Sequence, residues 1–160
     1  MKKISLIIIA ALLISSLLGC DMIKKVINDA SLGNPIDTDG DRVGYTGATI
    51  ERVSNTDTSL SVRIYNGTSS TWQSGNMRDY SLEAERDGEW YEVTQIGEFA
   101  NTMELMIFSP NDEVKHTFDF AERYGKLSRG KYRVVKSFWA NATETSEAGE
   151  FYLICEFTVE

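Results

Sequence analysis

From Thr46 onward, apolar and polar residues alternate in short runs separated by turn formers, the period-two signature of strands with one face buried. The runs predict strands over Ala48–Val53, Leu60–Tyr65, Tyr80–Arg86, Trp90–Val93, Val114–Phe120, Lys131–Trp139 and Phe151–Val159. Leu60, Val62 and Ile64 share one face of the second run, and Val114, His116, Phe118 and Phe120 share one face of the fifth. The segments between them, Asn66-Gly67-Thr68, Asp87-Gly88, Pro110-Asn111 and Ser128-Arg129-Gly130, hold residues that start turns or tolerate positive φ. Asp87-Gly88 is the clearest two-residue hairpin turn. About seven strands without a helical stretch predict an all-β domain of two packed antiparallel sheets.

A further detail narrows the topology to an immunoglobulin-like β-sandwich. Leu127 to Val134 resembles a tyrosine corner, in which Tyr132, near the start of the sixth predicted strand, ties its hydroxyl to upstream backbone two residues before the usual inter-sheet cysteine. Val134 stands at that cysteine position, so the sheets are expected to be joined by apolar packing with no disulfide. Lys136 interrupts the alternation after Val134, which predicts a bulge or a strand end reaching solvent.

The segment before Thr46 has a different character. Lys2 and Lys3 precede an apolar run from Ile4 to Leu18, too short to span a bilayer permanently and organised as a secretory leader. Leu17-Leu18-Gly19-Cys20 resembles the bacterial lipobox, which implies cleavage after residue 19 and lipidation of Cys20. The expected organisation is a leader at 1–19, a lipidated Cys20 with a tether at 20–45, and one sandwich domain at 46–160. The expected location is the extracytoplasmic face of the cell membrane, held there by the lipid. Within the tether, Asp37, Asp39 and Asp41 around Gly40 resemble the opening of a calcium loop, but Ala48 stands where the closing bidentate Glu belongs. A solvated linker is the better reading there, and no metal or cofactor is expected.

Of the 160 residues 42% are hydrophobic, enough for one core. The formal net charge is −8, and loss of the leader removes two further positive charges. Such a surface repels nucleic acid and anionic headgroups, which excludes nucleic acid as a partner. Once Cys20 carries lipid, Cys155 has no intramolecular partner, and its phase with Phe151, Leu153, Phe157 and Val159 puts it on a buried face. One His and one buried Cys build neither a nucleophile–base pair nor a usual zinc site, so no enzymatic activity and no catalytic residues are expected.

Tyr80-Ser-Leu-Glu83, Asp87-Gly-Glu-Trp-Tyr-Glu-Val93 and above all Tyr124 to Lys136 give the chain, from about Ala48 to Val159, a resemblance to the bacterial immunoglobulin-like domain of secreted proteins and lipoproteins, mostly Gram-positive. That resemblance implies an extracytoplasmic sandwich and no catalytic residue set. The expected function is a non-catalytic interaction module that holds an envelope or secreted protein. Trp72, in a polar segment read as a loop, is the first candidate contact residue, although the same loop can fold it back over the core; Trp90 and Trp139 are further candidates, in strands where packing is the commoner role. Two other readings stay open: a carbohydrate or cell-wall binder, which requires Trp90 or Trp139 to face solvent, and a structural spacer.

Overall fold

The computed structural model describes residues 32–36, 42–97, 99, 104–143 and 148–160. Cys20, Asp37, Asp39 and Asp41 lie outside the described residues, as does the leader.

Every regular element among the described residues is a strand: β1 (Leu32–Pro35), β2 (Ala48–Asn55), β3 (Ser59–Asn66), β4 (Trp72–Ser74), β5 (Ser81–Arg86), β6 (Glu89–Val93), β7 (Met106–Phe108), β8 (Glu113–Asp119), β9 (Gly130–Ala140) and β10 (Gly149–Val159). They form two sheets. The smaller has the order β2-β3-β8; the larger runs β1-β6-β5-β9-β4-β7, with β10 on the other edge of β9. All the described ladders joining β2 to β10 are antiparallel. This is the expected immunoglobulin-like sandwich, and Cys155 is a free buried thiol, so no disulfide joins its sheets.

The seven predicted strands are present because each had enough length for alternation to show. Leu60, Val62 and Ile64 of β3 are 0–1% exposed and face Val134, Phe138, Phe151 and their neighbours, the buried residues of the larger sheet. Aromatic rings fill the space between: Trp72 meets Phe151 edge-on at 5.0 Å, Phe138 stacks on Phe151 at 5.5 Å and Phe120 on Phe157 at 5.5 Å. The Tyr132 hydroxyl donates to the Ser128 carbonyl at 2.9 Å, closing the tyrosine corner. Val134 is fully buried and lies across the ladder from Cys155. The Asp87-Gly88 turn has φ of 54° and 86°, the paired positive values of a type I′ hairpin, and Asn111 sits at φ 68°.

Three expectations need correction. Lys136 makes neither a bulge nor a solvent-reaching end: the β9–β10 register is unbroken through Lys136↔Leu153, and the side chain is 1% exposed. Its phase with Tyr132, Val134 and Phe138 puts it on the inner face, where a long apolar stem packs and the ammonium lies 5.9 Å from the Phe138 ring. Secondly, the stretch read as tether contains β1, which pairs with the open edge of β6, and Ile36 N–H donates to the Trp90 carbonyl at 2.8 Å. Tyr45 likewise packs on Phe151 at 5.0 Å, so the domain begins before residue 46. Thirdly, Trp72 is in β4 and not in a loop.

β4 and β5 lie in succession along one edge of β9. Trp72 pairs with Ala140 and Gln73 with Trp139, yet the ladder resumes at Ser81↔Val135, where uninterrupted pairing would put Met77. Four residues are therefore extruded between the two strands, and Asn76, Met77 and Tyr80 fold back into buried positions.

Candidate binding face on the larger sheet

The register defines which side chains stand together on the outer face of the larger sheet. Alternate residues of β9, namely Lys131, Arg133, Val135, Ser137 and Trp139, point away from the core, and each heads a row across neighbouring strands.

The rows near Lys131 and Arg133 are ionic. Glu83, fully buried, accepts from Arg133 Nε at 2.5 Å, and Arg42 Nη1 lies 2.6 Å from its other oxygen as a charge contact without an aligned hydrogen bond. Arg133 Nη2 is buried with no hydrogen-bond partner among the described residues, and its guanidinium lies over Trp90, 4.1 Å from the ring centroid. Lys131 bridges Glu85 and Glu156 at 3.1 and 3.0 Å and sits 5.2 Å from the same ring. Trp90 is thus capped by two cations of its own chain, and this end of the face is closed.

The opposite end is open. Glu150, Trp139, Gln73 and Ile107 form one row across β10, β9, β4 and β7. Trp139 is 46% exposed and Ile107 61%, and Leu105, also 61% exposed, lines the same shallow depression of about 250 Å³ with Gln73, Ser137 and Glu150. A second depression of about 270 Å³ begins at the shared Ser137 and continues past Tyr152 and Val135 to Ser81, Asp79 and Gln95. The two depressions meet at Ser137 and are taken together as one track.

The other tryptophans are accounted for by this arrangement. Trp72 is 0% exposed, ringed by Tyr45, Phe108, Phe138 and Phe151, and its indole N–H donates to Thr68 Oγ1 at 3.1 Å. It serves the core and cannot touch a partner, which removes the first candidate contact residue. The polar flanks that suggested a loop are explained by Asn66, whose buried amide donates to the Ser70 and Phe108 carbonyls and accepts from Thr68. Trp139 meets the exposure that a contact residue needs. Gln73, Leu105 and Ile107 escaped sequence reasoning because β4 and β7 have three residues each, too few to show a period.

Among the described residues, the thiol and the imidazole are not brought together. Burial pushes the Cys155 thiol up to about 11, and the charges it feels come from Arg52 and Glu156, with His116 absent from them. His116 is held below its ordinary value by burial and, next, by the Lys136 ammonium; its ring meets Phe118 edge-on at 4.7 Å. The cleft of about 290 Å³ beside His116 is braced by Arg123, which donates to the Arg78 carbonyl and lies 5.5 and 5.4 Å from the Tyr80 and Phe99 rings. Among the described residues no group of His, Cys, Asp and Glu has metal-holding geometry.

A two-sheet antiparallel sandwich with a tyrosine corner defines an immunoglobulin-like module. The model of a bacterial Ig-like domain matches residues 47–152, and the chain belongs to that family. No curated protein and no solved structure matches it. Membership indicates a non-catalytic interaction or structural module.

Proposed function

We propose that this protein is a lipid-anchored, extracytoplasmic binding module that uses the Trp139 end of its larger sheet to hold a partner at the membrane surface. The observation that carries the reading is the row Glu150–Trp139–Gln73–Ile107. Here an indole and an isoleucine stand in solvent on the sheet, while the Lys131–Arg133 end of the same face is covered by its own ion pairs. Exposed aromatics backed by packed strands are favourable contact anchors because little side-chain freedom is lost on binding. The anchor rests on the lipobox resemblance at Leu17–Cys20, and the acidic surface keeps the domain from lying down on anionic lipid.

The full chain, expressed in its host with a photo-reactive residue at Ile107 or, as control, at Glu51 on the smaller sheet, tests the face. Adducts from position 107 and none from 51 are expected; equal or absent adducts at both overturn the assignment. Feeding an alkyne-tagged fatty acid tests the anchor, since Cys20→Ser should lose both label and membrane retention.

A further inference from the structure

We infer that the occupant of this face is a linear, uncharged polysaccharide, an inference that rests on the Trp139 face being the contact surface. A pyranose ring presents a flat C–H face and a rim of hydroxyls. Its complement is an exposed aromatic ring with planar hydrogen-bonding groups at its sides. Trp139 has that surrounding: the Gln73 amide is its cross-strand neighbour on one side, the Glu150 carboxylate on the other, and the Ser137 hydroxyl shares its strand face.

The track also fits a chain better than a single sugar. Tyr152, half-buried, stands on the strand next to Trp139 and two residues along from its direct partner Glu150, a diagonal separation of about 7–8 Å. The two rings therefore offer platforms to successive sugar units. Beyond Tyr152 the second depression supplies Ser81, Asp79 and Gln95 as further hydroxyl partners. An enclosed pocket would suit a small molecule, whereas these depressions are open to solvent and meet at Ser137.

Charge decides between sugar classes. The net charge of −8 and the carboxylates at both ends of the track repel a polyanionic glycan. Two cations line the second depression as well, but both are engaged, Arg42 with Glu83 and Arg123 with the Arg78 carbonyl. Neutral units, glucose-like or N-acetylated, meet no such repulsion.

Intrinsic fluorescence reads this site directly, because Trp72 is buried and Trp90 is capped, which leaves Trp139 as the indole a ligand reaches. The detergent-solubilised full chain is titrated with cellohexaose and, separately, with chitohexaose, and pelleted with insoluble wall glycan from its host. A saturable emission change with at least one hexasaccharide is expected. Trp139→Ala should weaken it about tenfold or more, Gln73→Ala several-fold and Trp90→Phe not at all, with unchanged urea midpoints for the Trp139 and Gln73 variants. No saturable change with either hexasaccharide and no co-sedimentation overturns the inference. If that happens while position 107 still gives adducts, the contact face stands and its occupant is not a glycan; if both fail, the face itself is wrong.

Discussion

Glu83 separates two kinds of charge in this molecule. It is fully buried on the outward side of a strand, with Arg133 and Arg42 against its two oxygens, whereas the Arg63–Glu51 pair on the smaller sheet is about half exposed at both ends. Removing one partner from a buried pair leaves the other charge stranded, so Glu83→Ala should cost about 3 kcal/mol in urea unfolding, while Glu51→Ala should change it by about 0.5 kcal/mol or less. His116 gives a pH signature. Burial and Lys136 hold its folded value below the ordinary 6.5, so the imidazole is preferentially neutral when folded. The sign follows: its contribution is complete above about 6.5 and is lost as pH falls through that value toward the folded one. His116→Gln should flatten this limb of the stability–pH curve. An NMR titration of Lys136→Met should show the His116 value moving back up, because the ammonium that opposes protonation is gone.

The strands that carry an interpretable period were legible, and those that do not were missed for a physical reason. β9 and β10 have eleven residues each, and their alternation reads off the sequence. β4 and β7 have three, and β1 contains Gly33 and Pro35, so nothing local distinguishes them from loop; they are strands because long β9 and open β6 edges offer backbone partners. The same cause hid the candidate row, since two of its four members lie on β4 and β7. Lys136 shows the opposite limit: its phase was correct for the inner face, but its charge argued for solvent, and the stem's packing prevailed. Turn chemistry was the most transferable signal. Because Gly88 sits at φ 86°, Gly88→Ala should destabilise by about 1 kcal/mol through backbone strain alone, as its Cβ would meet nothing within 4 Å.

At the scale of the whole molecule, the two cysteines report on maturation and folding together. A thiol reagent at pH 8 should find Cys155 silent in the native protein, because it is buried and its thiol is pushed up to about 11. After denaturation the mature protein should titrate one thiol if Cys20 is a thioether and two if it is not, whatever the cell fraction in which the protein is found. If the protein is tethered at its N-terminus and gripped at Trp139, as proposed above, the placement of β1 has a mechanical consequence. Tension from that anchor would enter the fold at a four-residue strand that pairs, among the described residues, with β6. Release of β1 would leave the chain held at Arg42, which pairs with Glu83, and at Val43, which accepts from Tyr152 N–H at 3.0 Å. The released strand then pays out, adding roughly 3.4 Å per residue. The long β9–β10 ladder beneath the proposed contact face would feel force only after that slack is spent, so a sudden pull would lengthen the leash before it loads the grip.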